Sequence, residues 1–257
     1  MAFRSALVTG ASSGIGEAFA RGLPRTTVLL LAGRDRDRLT RLAHELGSPE
    51  RMVRIAAGDL ATEEGRQGVI SAAESAEVDL VVNNAGIGRL GKVTDNSAER
   101  ESEMVLVNAL APVEICRALL PGMLRRAETS QSRAGIINVS SAAAFTPMPF
   151  FATYAASKAF LLHYTEALAE ELSDKPIDVL ALCPGATRTR FFERAGVNEI
   201  GFSMHDPGRV VREALQALGH RTVHIVGPGN YLATAAIRFL PRRFVTAAVE
   251  TVTRKWR

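Results

Sequence analysis

The chain of 257 residues contains only two cysteines, Cys116 and Cys183, far apart and without paired spacing. Two such residues do not make a disulfide framework, and a reducing, cytoplasmic setting is expected. Five histidines, His44, His163, His205, His220 and His224, show neither HxxxH nor HExxH spacing, so no metal site is expected. No uninterrupted apolar run reaches the length of about 18 residues that a membrane-crossing helix needs. The opening MAFRSALVTG meets turn residues before it could form the apolar core of a signal peptide. Signatures of nucleic-acid binding are absent, and nucleic acid is not expected as a partner. Charge of one sign is scarcely in excess, with 31 Lys and Arg against 27 Asp and Glu. An anionic cofactor accounts for so mild a surplus as readily as a polyanion does.

What the chain has is order of a particular kind. With 47% hydrophobic and 23% charged residues, it has the composition of a soluble globular protein. Seven short apolar runs, ALVTG, TVLLLAG, MVRIAAGD, VDLVVNNAG, AGIINVSS, IDVLALCPG and TVHIVGPG, read as strands. Helical patterns separate them at about 16–23, 35–46, 62–76, 97–127, 154–173 and 206–219. Several strands are apolar without alternation, as strands covered on both faces must be. The pattern predicts an α/β fold, one domain over residues 1–257, with helices on both faces of a doubly wound parallel sheet of about seven strands. In such sheets the site lies beyond the carboxyl ends of the strands, and nearly every strand here ends in small, polar or glycine-rich residues.

The first strand runs into Thr9, Gly10, Ala11, Ser12, Ser13, Gly14, Ile15 and Gly16, and then into an amphipathic helix. Glycine lets a backbone approach a pyrophosphate closely, and a helix N-terminus adds free N–H groups. The spacing G-x-x-x-G-x-G matches neither G-x-G-x-x-G nor the phosphate loop, so alone it is equally a tight turn. Its place between a first strand and a helix favours a dinucleotide. The second strand ends Ala32-Gly33-Arg34, and the next carboxylate, Asp35, already belongs to a helix start. A ribose 2′-hydroxyl calls for an acid there and a 2′-phosphate for an arginine, so NADP(H) is favoured over NAD(H). Arg34 could instead merely solvate the helix start, although its charge opposes the dipole. Asp59 and Leu60, at the third strand tip, could bracket an adenine, or Asp59 could cap the helix near Thr62.

In FFATYAASKAF, Tyr154 and Lys158 stand four residues apart, on one face of a predicted helix. A phenol, with a pKa of about 10, is too weak an acid for neutral pH, and an adjacent ammonium lowers it. That is the tuning a general acid–base group needs. An isolated pair of this kind is also ordinary helix surface, and its neighbours decide. In order along the chain come TGASSGIG (9–16), AGR (32–34), GDL (58–60), NNAG (83–86), Asn108 in LVNAL, INVSS (137–141), YAASK (154–158) and CPGATRT (183–189). On these motifs the chain resembles a short-chain dehydrogenase/reductase of the single-domain branch, over about residues 4–227.

The resemblance implies a Rossmann-type domain and an oxidoreductase interconverting a carbonyl and an alcohol of a small molecule. Ser141, thirteen positions before Tyr154, would hydrogen-bond the substrate oxygen, and Tyr154 would give or take its proton. Lys158 would hold the nicotinamide ribose, and Asn108 would position a water for proton relay. Gly10, Ser12, Ser13, Gly14, Ile15 and Gly16 would hold the pyrophosphate; Asn83, Ala85 and Gly86 would line the adenine ribose. Pro184, Gly185, Thr187 and Thr189 would meet the carboxamide. A homodimer or homotetramer through helices 97–127 and 154–173 is implied as well. Epimerases and dehydratases of the wider family carry a TGxxGxxG turn and a longer C-terminal domain, and enoyl reductases space Tyr and Lys more widely. An NAD-dependent alcohol dehydrogenase is the near alternative. A nonenzymatic cofactor sensor would usually lack one of the four catalytic residues, and all four are present.

Segments at about 88–95, 142–150 and 186–205 would build the substrate pocket. Their Phe145, Met148, Phe150, Phe191, Phe192 and Phe202 fit a lipophilic ketone or alcohol, or equally plain packing beneath a loop. The tail 229–257 has apolar residues at helical spacing, interrupted by Pro241, among Arg238, Arg242, Arg243, Arg254, Lys255 and Arg257. Such a segment can pack on the body, on a second subunit or on an anionic membrane. It resembles the tails of a bacterial subgroup of the family.

Overall fold

The computed structural model describes residues 3–197, 201, 203–237 and 239–256. The seven apolar runs become strands β1 (Ser5–Thr9), β2 (Val28–Gly33), β3 (Val53–Ala57), β4 (Leu80–Asn83), β5 (Ala134–Val139), β6 (Ile177–Cys183) and β7 (Val223–Ile225). All pair in parallel, in the order β3-β2-β1-β4-β5-β6-β7. The chain winds outward from β1 through β3, then restarts at β4 on the other side. The β1–β4 junction is therefore the switch point at which α/β sheets open a crevice.

The helices are α1 (Gly14–Gly22), α2 (Arg36–Leu46), α3 (Glu63–Ser75), α4 (Ala98–Val105), α5 (Ala111–Ser130), α6 (Ala152–Glu171), α7 (Phe191–Ala195), α8 (Pro207–Ala217), α9 (Pro228–Ile237) and α10 (Arg242–Arg254). Successive strand residues point to opposite faces, and both faces are dry. Ala6, Val8, Leu29 and Leu31 pack with Phe19, Leu39 and Val210 from α1, α2 and α8. Leu7, Leu30 and Val81 pack on the other side with Val69, Ile115 and Leu168 from α3, α5 and α6. Continuous apolar strands follow from this three-layer burial.

One departure from the predicted elements matters for the site. The helix expected at 97–127 is interrupted by a π-helical turn, Leu106–Leu110, between α4 and α5. Pro112, just beyond the turn, has no N–H to offer the Asn108 carbonyl in an α-helical pairing. By length and composition the whole run Ala98–Ser130 could cross a membrane, but half of its apolar window is buried in the protein. The tail folds into α9 and α10, with Pro241 as the N-cap of the second.

Candidate active site

The strand tips open into one cleft of about 950 Å³ at the carboxyl edge of the sheet. At its floor Gly10 and Gly14 adopt φ of +65° and +62°, conformations that suit glycine. A Cβ on Gly10 would lie 2.9 Å from the Ala85 Cα, and one on Gly16 would strike the Gly10 carbonyl and the Asn84 side chain. Thr9 locks the turn to the next strand tip, its Oγ1 accepting from the N–H groups of Asn84 and Ala85 at 3.0 Å each. Ser13 begins α1 without a side-chain cap, which leaves the first-turn N–H groups facing the cleft for an anion. The Arg194 guanidinium of α7 reaches over this turn to the Ser13 Oγ at 3.5 Å. Close-approach glycines, an uncapped helix start and an overhanging arginine fit a pyrophosphate.

Seventeen cleft-lining positions coincide with sequence-predicted ones: Gly10, Ser12, Ser13, Gly14, Ile15, Arg34, Asp59, Leu60, Ala85, Gly86, Ser141, Tyr154, Lys158, Pro184, Gly185, Thr187 and Thr189. Three expected residues do not face it. Gly16 lies beneath the turn. Asn83, expected beside the adenine ribose, turns inward instead, donating to Asn138 Oδ1 at 2.9 Å and to Cys116 Sγ at 3.3 Å. It is still part of β4, whose side chains alternate into the core, and Asn84 takes its place in the lining. Asn108 is fully buried behind Gly86: its Oδ1 accepts from Ile87 N at 2.9 Å, and its Nδ2 donates to Ile87 O at 2.8 Å and Ser157 Oγ at 3.0 Å. Its side chain thus binds the loop after β4 to α6, and the π-helical turn sits where that amide is held.

At the adenosine end, Arg34 is already paired. Its Nη1 lies 2.9 Å from Glu103 Oε1 and 3.7 Å from Asp59 Oδ2, and Arg100 holds the other Glu103 oxygen at 2.6 Å. Asp35 caps α2 by accepting from Arg38 N at 3.0 Å and lines the cleft beside Arg34. Thr62, not Asp59, caps α3. Arg100 and Glu103 come from α4, remote in sequence, and nothing in their local pattern announces them.

At the other end Tyr154 is ringed by aromatics, with Phe151 and Phe191 centroids at 4.7 and 5.2 Å. The Ser141 side chain is the polar neighbour that acts on its hydroxyl, favouring the ionised form. Ser141 also caps a 3-10 turn, Ala142–Phe145, by accepting from Ala143 N at 3.1 Å. Neighbouring Ser140 instead donates to the Lys158 carbonyl at 2.7 Å. The Lys158 Nζ donates to the Val139 carbonyl at 2.8 Å and stands 5.9 Å from the Tyr154 ring centroid. A methyl on Gly86 would come within 3.1 Å of that ammonium.

The expected lowering of the phenol does not appear in this structure. Burial pushes Tyr154 up to about 12, and the neighbouring Ser141 side chain offsets this only in part. Burial likewise pushes Lys158 down to about 8. An unpaired ammonium in a dry site loses more by desolvation than it confers on a phenol across this distance.

The order β3-β2-β1-β4-β5-β6-β7, the glycine turn and the Ser141–Tyr154–Lys158 group are now joined by direct comparison. Residues 4–199 match the short chain dehydrogenase family. The chain belongs to the short-chain dehydrogenase/reductase family. An uncharacterized oxidoreductase of Staphylococcus epidermidis is 33% identical over 197 residues, 76% of this chain and 82% of that protein. A solved short-chain dehydrogenase from Sphingobium yanoikuyae in complex with NADPH is 29% identical, with TM-score 0.78 over 91% of this chain and 93% of that one. A bulky-bulky ketone specific alcohol dehydrogenase from Comamonas testosteroni is 26% identical, with TM-score 0.75 and 93% of each chain covered. The protein is thus an oxidoreductase of this family with a nicotinamide-cofactor site.

In this short-chain dehydrogenase/reductase the tail packs on its own body. Thr234 and Ile237 of α9 and Val249 of α10 line the cleft together with Trp256, the one tryptophan of the chain. Trp256 packs edge-on against Phe192, centroids 6.4 Å apart, and joins the cluster that holds Tyr154. Asn230 anchors the tail, donating to Val226 O at 2.8 Å and bonding His205 Nε2 at 3.0 Å, where the substrate segment ends. Of the apolar residues expected around substrate, Met148, Phe191 and Phe192 line the cleft. Phe150 packs behind them, Phe145 lies under β6 and β7, and Phe202, like Arg238 and Arg257, falls outside the described residues. A solitary tryptophan closing an amphipathic tail was the signal that could have assigned this segment to the pocket.

Proposed function

We propose that the protein reduces a lipophilic ketone or aldehyde to the alcohol with NADPH. The observation that carries this reading is the Ser141–Tyr154 hydroxyl pair facing an aromatic-walled cleft. A substrate oxygen seated there meets two hydroxyl donors, while its hydrocarbon part meets Met148, Phe191, Phe192 and Trp256. Ser141 orients the carbonyl oxygen and stabilises the charge that develops on it. Tyr154, neutral at working pH because burial holds its proton, gives that proton to the nascent alkoxide. Lys158, fixed by Val139, presents an ammonium for ribose hydroxyls, and Asn108 keeps the loop after β4 in register with α6. The cofactor supplies the hydride when bound; the chain binds, orients and excludes water.

The preference for NADPH is supported by Arg34 at the β2 tip and by Arg100 beside it. The NADPH complex of the Sphingobium relative points the same way, and the ketone named for the Comamonas one fits the proposed substrate class. A second reading, NADH, is favoured by the Asp59 and Glu103 carboxylates that flank Arg34. Fluorescence titration with NADPH and NADH, beside Arg34→Ala, separates the two. A preference for NADPH that collapses in the variant upholds the first, and equal binding removes it. We further propose a cytoplasmic homo-oligomer joined through α4, α5 and α6, where Val105, Leu110 and Phe160 are exposed. Sedimentation as a monomer at micromolar concentration would remove that part.

A further inference from the structure

Residues 228–257 hold six basic residues and one acidic one, five net positive charges; the 227 residues before them carry one net negative charge. The mild basic surplus of the whole chain therefore belongs to its tail. The exposed apolar surface gathers in the same place. Among the described residues, six of the eleven exposed large hydrophobics are Tyr231, Leu232, Phe239, Leu240, Phe244 and Val252. Phe239 is the most exposed of all, at 87%. It lies with Leu240 in the turn between α9 and α10, and Phe244 follows within the first turn of α10. Arg242 and Arg243 are exposed between them, the Arg243 guanidinium 4.7 Å from the Phe244 ring centroid. The opposite side of the same hairpin, Thr234, Ile237, Val249 and Trp256, faces the cleft.

We infer that the α9–α10 hairpin docks on the surface of an anionic lipid bilayer, turn first. Phe239, Leu240 and Phe244 enter the boundary of the acyl chains, and Arg242 and Arg243 meet lipid phosphates. Aromatic and aliphatic tips flanked by arginine are what a headgroup boundary accommodates, an apolar body below and a charge above. A second copy of the chain is a poorer occupant. A two-fold contact would set this basic surface against itself, and like charges facing each other across an interface oppose association. Since the docked hairpin is also a wall of the cleft, docking would set the substrate site beside a membrane-dissolved carbonyl. That last step rests on the function proposed above, while docking is measured without turnover.

The test is flotation of the full chain with vesicles of phosphatidylcholine, with and without about 30% phosphatidylglycerol. The double variant Phe239→Asp, Phe244→Asp is run beside it, with NADPH binding as the check that the fold is intact. The expected result is binding to the anionic vesicles alone, weakened about tenfold or more in the variant and reduced by salt. Absence of binding by the natural chain overturns the proposal. So does binding that responds to salt but is the same in the variant, which marks a general polyanion site. A self-associated protein that the variant converts to smaller species gives the surface to a second copy and also overturns it.

Discussion

At the scale of the residue, the site is built from groups held in unfavourable surroundings. Lys158 is buried with a carbonyl and, among the described residues, no carboxylate partner, and its pKa falls from 10.5 to about 8. Below pH 8 both the folded and the unfolded chain carry this proton, and the folded state bears the cost of burying it. Between pH 8 and 10.5 the unfolded chain binds more protons, so this group makes stability rise with pH. Tyr154 acts oppositely above pH 10, where the folded chain keeps a proton that the unfolded chain has lost. Lys158→Met should therefore abolish turnover yet stabilise the cofactor-free protein by roughly 3 kcal/mol at pH 7. Urea unfolding at pH 7 and pH 10 checks this: a variant no more stable than the parent at pH 7 refutes it. The natural enzyme's affinity for cofactor should weaken above pH 8 as the ammonium is lost. Glu103 gives a second prediction. A partly exposed ion pair with Arg34 contributes only about 0.2–1 kcal/mol, so a 2′-phosphate can displace it. Glu103→Gln should tighten NADPH binding by about two- to fivefold and leave NADH unchanged; calorimetric titration of both cofactors is the check.

At the scale of the element, the strands and the helices on the sheet were legible because burial on both faces leaves unbroken apolar runs, and the strand tips carry short motifs. The unreadable parts are those fixed by distant contacts. Leu106–Leu110 widens into a π-helical turn where Asn108 is held by Ile87 and Ser157, and LVNAL alone gives no sign of it. Asn83 sits in a motif whose neighbours face the cleft, yet strand alternation turns it inward. Arg100 and Glu103 meet Arg34 only because α4 crosses the β2 tip. The tail's amphipathic pattern was visible, but not which partner covered its apolar side. Here Trp256 packs on Phe192, so α10 is one wall of the substrate region. Trp256→Ala should lower kcat/KM for a bulky ketone by roughly ten- to a hundredfold, the range for one lost apolar contact. NADPH affinity should stay as it was. Steady-state kinetics on a large and a small ketone test this, and an equal loss on both would argue against a wall.

At the scale of the whole molecule, the cleft is a seam. The glycine turn, the tips of β4, β5 and β6, the substrate segment and the tail all contribute to its lining, and Asn230 with His205 ties the last two together. A ligand filling the seam touches parts of the chain that otherwise meet only at their edges. Any ligand that binds the folded state alone stabilises it by mass action, about 2.7 kcal/mol at a hundred times its dissociation constant. For a domain of this size each kcal/mol raises Tm by about 2–4 °C. Saturating NADPH should thus raise Tm by roughly 5–10 °C, and NADH at the same concentration by less. The seam also predicts where the added stability falls. Amide exchange should slow not only at the glycine turn and α1 but in α9 and α10, which lie outside the family match at 4–199 yet close over the site. If α1 alone gained protection, the tail would be an appendage resting on the domain. Slowing in all three would mean that body and tail unfold as one cofactor-stabilised unit.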